Sequence, residues 1–355
     1  MGTQKHGDCP RSDPRQTICR TICRALGIPS DLHVDTPDVT RGRAWTRAGI
    51  DGVELSWTVP GATSRTQGWL LKPDDHTGED LPAVLLLHGH DGLKFYGKEK
   101  VADGPDGPAP GIPELRRRGY DGRSVAAGLV AAGFAVLIHD VFPWGSRRVE
   151  WDDFPERARA AAQTHPESDR YEAAAREHEH GLAKLAALTG SSLGGRVLVE
   201  DIAALNILGS TPGIDSSRIA TAGFSGGGAR VAHLLAARDH ATAPLKAAVV
   251  TAMTSTFADI ADGHADDTTW LMITPGLPAV CDWPDVVASA APLPVLVQFA
   301  REDRHFSVTG MLDAEAALQR AYRGTDALVT QWFPHGHRFS SDMQDDAMRW
   351  MRANV

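Results

Sequence analysis

A chain of 355 residues, 42% hydrophobic and 23% charged, is long enough to bury a substantial core and has neither a disordered nor a fibrous composition. Its formal net charge of -9, with no block of Lys or Arg, would repel polyanions and excludes nucleic acid as an expected partner. No segment reaches the length of a membrane span and four cysteines do not make a disulfide framework, so no membrane partner and a reducing, cytoplasmic setting are expected.

Residues 1–45 are polar and turn-rich and read as an N-terminal extension that packs on the main body, with a short helix over 16–26 and no visible chemistry. Lys5, His6, Asp8, Arg11, Asp13 and Arg15 stand where a secretory signal would carry its apolar stretch. Cys19 and Cys23 are spaced as half of a metal site on a helix, with Cys9 and His6 as the only nearby partners. Zinc-site spacings are normally tighter and paired, so no metal is expected.

Residues 46–355 read as one domain. Strand-like runs at 53–58 and 67–71, separated by Pro60 and Gly61, predict an antiparallel hairpin at a sheet edge. The apolar run 82–87, ending in His88 and Gly89, and its counterpart at 133–139 predict strands buried on both faces. The helical pattern at 122–132 between them makes the connection a parallel crossover. Residues 147–190 break the rhythm: charged and Ala-rich, helical at 157–162 and 171–188, they predict an inserted helical cap. The rhythm resumes with a helix over 199–208, a strand over 218–223 and a helix over 227–237. Three further strands follow at 247–251, 295–299 and 328–333, before an amphipathic C-terminal helix. Strands alternating with helices imply a mostly parallel central sheet flanked by helices, with ligand chemistry at the carboxyl ends of the strands.

Gly223, Phe224, Ser225, Gly226 and Gly227 form a G-x-S-x-G between an apolar run and an amphipathic helix, the context that gives this pattern meaning. A serine on so tight a turn needs small residues two positions away on either side, and Gly223 and Gly227 meet that need. The turn leaves the amide of Gly226 at the amino end of a helix, where negative charge is stabilised. A serine hydroxyl is a poor nucleophile at neutral pH, so it needs a neutral imidazole and a carboxylate to orient that imidazole, in the chain order serine, acid, histidine.

Beyond the strand 295–299, Glu302 and Asp303 are the available acids, and Asp303 is favoured as the shorter and stiffer side chain. Beyond the last strand, His335 and His337 compete. His337 is favoured because it follows Gly336, which lets the loop turn back over the sheet, and sits near Phe339, which could anchor the loop; His305 is a third candidate. The second oxyanion donor is expected from the His88–Gly92 loop: the amide of His90, with His88 packed beneath it. Asp140 is expected in a turn or cap. Phe142, Trp144, Trp270 and Phe306, each near a strand end, are nominated as walls of the substrate pocket.

The run from His88 to Gly92, the block 220–228 and the stretches around Asp303 and His337 resemble the α/β-hydrolase superfamily over about residues 50–355. The two strands leading into the HGHDG loop, the helix followed by Ile214, Asp215 and Arg218, and the GFSGGG turn are similar to dienelactone hydrolase-like and acetyl xylan esterase-like members. The resemblance implies an α/β-hydrolase fold, Ser225, Asp303 and His337 as a triad, and the amides of His90 and Gly226 as an oxyanion hole. It implies a serine hydrolase of carboxylic esters acting through an acyl-enzyme, with a small-molecule acyl substrate and no cofactor. Acyl transfer to another nucleophile, carbon–carbon cleavage and ligand binding without catalysis are the rival readings on the same fold. Self-association is left open.

Overall fold

A computed structural model describes residues 14–355 except 60, 61 and 63. In chain order the strands are β1 (Thr40–Arg47), β2 (Ile50–Trp57), β3 (Thr66–Pro73), β4 (Leu81–Leu87), β5 (Ala135–His139), β6 (Ile214–Phe224), β7 (Ala247–Thr251), β8 (Val295–Ala300) and β9 (Leu328–Phe333). The helices are α1 (Pro14–Ala25), α2 (Ile112–Gly119), α3 (Val125–Ala131), α4 (Glu156–Ala162), α5 (Arg170–Leu188), α6 (Leu193–Ser210), α7 (Gly226–Ala236), α8 (Phe257–Asp259), α9 (Trp283–Ala288), α10 (Val308–Ala321) and α11 (Ser341–Asn354). No described helix is long and apolar enough to cross a membrane.

The strands form one nine-stranded sheet in the order β1-β2-β3-β5-β4-β6-β7-β8-β9. β1, β2, β3 and β5 pair antiparallel, and β5, β4, β6, β7, β8 and β9 pair parallel. From β4 the chain turns to β5 on one side and later to β6 on the other, so a crevice opens at the carboxyl end of β4.

Alternation along the parallel strands sends side chains into two cores. Leu85, Leu87, Leu137, Val250 and Val297 face α1, α6, α7 and α9, whereas Val84, Leu86, Val136, Ile138, Val249 and Leu296 face α2, α3 and α11. Each fully buried Val or Leu contributes about 1.5–3 kcal/mol. Between β5 and α6 lies the expected helical insertion, with a small core of its own formed by Phe154, Ala158, Ala162, Ala174 and Ala175.

The N-terminal region packs on the main body through α1, but its boundary differs from the expected one. A division at 45/46 would cut through β1, which pairs with β2 and replaces the predicted hairpin as the sheet edge. α1 packs Ile22, Cys23 and Leu26 into the main core. Cys19 and Cys23 do not pair as metal ligands: both are buried, and their thiols face the carbonyls of Ser289 and Ala236 at 3.5 Å. Burial pushes the Cys23 thiol up to about 12. Cys9 and His6 lie outside the described residues.

Candidate active site

Because β4, β6, β8 and β9 run parallel, the segments that follow them converge on one edge of the sheet. Ser225 caps α7 directly after β6, with φ 54° and ψ -126°. This backbone region costs a non-glycine residue about 1–3 kcal/mol and persists only where the surroundings enforce it. They do so sterically. A Cβ on Gly223 would come within 2.3 Å of the Gly227 carbonyl group, and one on Gly227 within 2.1 Å of the Leu87 carbonyl oxygen. The glycines expected beside the serine are therefore required by backbone packing. The Ser225 amide donates to the Thr251 carbonyl at 3.0 Å, tying the turn to β7.

The Ser225 hydroxyl lies 2.8 Å from His337 Nε2, and His337 Nδ1 lies 2.7 Å from Asp303 Oδ2. A ring nitrogen facing a carboxylate carries the proton, so Nδ1–H donates to Asp303, and Nε2 is left to accept from the serine. The Asp303 side chain is fully buried, and its other oxygen accepts from the His305 amide at 2.8 Å. Glu302, the alternative acid, is exposed. His335 instead contacts Asp342 at 2.9 Å. Phe339 is buried, and its amide donates to the Gly119 carbonyl at 2.8 Å; Phe224 packs against both Phe339 and His337. The anchor expected of Phe339 is thus in place. His305 sits edge-on to His337, ring centres 4.2 Å apart, with its Nδ1 on the Asp267 carbonyl at 2.8 Å. Burial, with help from His337, lowers its pKa and keeps it neutral. It walls the ring that meets the serine.

Opposite the serine turn, a Cβ on Gly226 would lie 2.8 Å from the His90 nitrogen, so the amides predicted as oxyanion donors are neighbours. Among the described residues, neither amide donates a hydrogen bond. His88 packs beneath them, buried, with Nδ1 on the Gly89 carbonyl at 3.0 Å.

The His88–Phe95 segment is fastened by charges from distant elements. Arg230 of α7, paired with the buried Asp201, donates to the His88 carbonyl at 3.1 Å. Glu179 of the cap helix accepts from His90 Nε2 at 3.0 Å and pairs with Lys94 at 2.9 Å. Burial alone would raise the Glu179 carboxyl, but His90 and Lys94 hold it at about 2. Glu172, also on α5, accepts from the amides of Lys94 and Phe95 at 2.6 and 2.9 Å. Asp140 is a structural acid, as expected: it is buried on Lys98 at 2.7 Å and accepts from the Lys98 and Ser146 amides.

The nominated pocket walls divide. Trp270 is part-exposed on the loop between β7 and β8, and its indole N–H donates to His180 of α5 at 3.0 Å, joining cap to body beside Leu271, whose side chain approaches Gly226. Phe142 is half-buried, with its amide 3.4 Å from Glu200. Trp144 is not a wall: it is 1% exposed, packed against His88, His90 and Lys94 as a foundation of the loop. Phe306 is 2% exposed and belongs to the main core, where an aromatic side chain gains more by burial than at a strand-end opening. A cavity of about 480 Å³ between the segment after His90, α2 and the cap is lined by Asp91, Tyr96, Leu115, Arg118 and Arg176, and its walls do not include Ser225 or His337. Sequence reasoning missed Glu172, Glu179, His180 and Lys100; no local pattern marks them.

The sheet order and the serine turn at the end of β6 define an α/β-hydrolase fold. Solved esterases share it: a glucuronoyl esterase from Solibacter usitatus has a TM-score of 0.66 at 14% identity, covering 97% of this chain and 92% of that one. Acetyl xylan esterase 1 from Thermoanaerobacterium sp. has a TM-score of 0.58 at 15% identity, covering 98% and 95%. An acetyl xylan esterase from Paenibacillus sp. R4 has a TM-score of 0.52 at 14% identity, covering 99% and 97%. No protein-family model and no curated protein matches the sequence.

Proposed function

We propose that the chain is a serine hydrolase of carboxylic esters, with Ser225, His337 and Asp303 as its catalytic triad and the amides of His90 and Gly226 as its oxyanion hole. The observation that carries this reading is the unbroken array from Ser225 through His337 to Asp303, facing two amides free to bind an anion. His337 Nε2 takes the serine proton as Oγ bonds to the acyl carbon, and the carbonyl oxygen becomes an oxyanion between the two N–H groups. The carbon–oxygen bond to the leaving alcohol then breaks as His337 returns the proton to it. Water repeats the sequence on the acyl-enzyme, releasing the acid and restoring Ser225. Each oxyanion donor contributes about 3–4 kcal/mol at the transition state in such sites.

The neighbours named for acetyl xylan and glucuronoyl esters support a carbohydrate ester as the substrate class. Three unpaired cysteines among the described residues support a reducing, cytoplasmic setting. Turnover of p-nitrophenyl acetate and of an acetylated xylo-oligosaccharide tests the reading. Hydrolysis of both, lost in Ser225→Ala, is expected; turnover of neither overturns it.

A further inference from the structure

Lys100 takes no part in those proton transfers, yet its ammonium group is fully buried beneath the loop that carries the His90 amide. Nζ donates to the Gly89 carbonyl and to the His90 carbonyl, each at 2.9 Å, and Asp91 Oδ2 lies 3.7 Å away. The cis peptide bonds among the described residues are Phe142–Pro143 and Ala291–Pro292, so the Gly89–His90 peptide is trans and its N–H points away from its C=O. Drawing the Gly89 carbonyl inward therefore turns the His90 N–H outward. Besides Lys100, the side chain holding that carbonyl is His88, a ring whose pKa burial pushes well below its ordinary value, so it holds as an uncharged donor. A cation on the carbonyl side also polarises the amide and makes its N–H a stronger donor.

We infer that Lys100 is a positioning residue for the oxyanion donor: its charged side chain grips the carbonyls before and after the His90 α-carbon, setting and polarising the His90 N–H before substrate arrives. This rests on the acyl-transfer reading above. Burial pushes the Lys100 ammonium down to about 8 against the pull of Asp91, so its charge is within reach of titration. The other groups that face it are Lys94 on the same loop, Glu172 on α5, Asp140 after β5, the rings of His88 and His90, and Arg116 of α2 at its own carbonyl.

The test compares wild type, Lys100→Met and Lys100→Arg on p-nitrophenyl acetate, with a trifluoromethyl ketone whose hemiketal oxygen occupies the oxyanion position. Lys100→Met is expected to lower kcat by about tenfold to a hundredfold, short of the loss on deleting a donor, with KM little changed. The inhibition constant of the ketone should rise by the same factor, and the decline in wild-type kcat above about pH 8 should be absent from the variant. Lys100→Arg, which stays charged, should recover part of kcat and also lack that decline. Should neither variant fold, wild type alone decides: kcat and affinity for the ketone should fall together above about pH 8. Wild-type kcat in Lys100→Met, a lowered kcat with unchanged affinity for the ketone, or a flat alkaline profile in wild type each overturns the inference. An inactive Ser225→Ala beside a fully active Lys100→Met would sink the role of Lys100 alone, whereas an active Ser225→Ala would sink the acyl-transfer reading itself.

Discussion

The serine turn and the His90 loop face one another across the site, but they are held in shape by opposite means. The turn from Gly223 to Gly227 is fixed by exclusion: backbone atoms fill the space a side chain would need, and no charge is involved. The loop from His88 to Phe95 is fixed by attraction, with Arg230, Lys100, Glu172 and Glu179 reaching in from elsewhere in the chain. Steric definition is local and indifferent to pH. Ionic definition is long-range, titratable and shared with the cap, so the cap helps to hold half of the site.

Deleting the proposed nucleophile should give the largest effect, since it removes the chemistry while leaving both scaffolds intact. Ser225→Ala should lower kcat by roughly 10⁴-fold or more in a steady-state ester assay, with a thermal midpoint near that of wild type. Asp303→Asn should come next, with a loss of roughly 10⁴-fold because the ring of His337 is left in the wrong tautomer. On the steric side, Gly227→Ala forces a Cβ to within 2.1 Å of the Leu87 oxygen. The strain is backbone against backbone, and thermal melts should show destabilisation of about 3 kcal/mol or more.

On the ionic side, Glu179→Leu leaves Lys94 buried without its partner and should cost about 3–5 kcal/mol in denaturant unfolding. The folded chain holds Glu179 at about 2 against an ordinary 4.5, so its contribution is full above about pH 4.5 and is lost as pH falls toward 2. The stability difference between wild type and Glu179→Leu should therefore shrink on acidification. Gly227→Ala should show no such convergence.

The smallest effect sharpens the contrast most. Lys100 has a folded-state pKa below its ordinary 10.5, so between about pH 8 and 10.5 the unfolded chain binds more protons than the folded one. Its contribution to stability rises with pH over that window, while turnover falls. Relative to Lys100→Met, wild type should gain stability and lose activity over the same interval.

These means of support also divide what could be read in the sequence from what could not. The serine turn, the strands β4 to β9, the cap and the residues Asp303 and His337 follow from local pattern and from position after strands. β1 escaped because an almost wholly exposed edge strand, Thr40–Arg47, carries Arg at three positions and buries no alternating face. Trp144 was misread because its position after β5 says nothing of the imidazoles and ammonium groups beneath which it lies. The pairing of Glu179 with His90 spans 89 residues, and no spacing rule links a cap helix to a loop so far away.

In the proposed mechanism one serine, Ser225, is activated by the array behind it. Intact-mass and peptide mass spectrometry after treatment with a fluorophosphonate tests this directly. A single adduct on Ser225, absent from Ser225→Ala and greatly slowed in His337→Ala, is the predicted result; an adduct elsewhere, or none on an ester-hydrolysing protein, would contradict it.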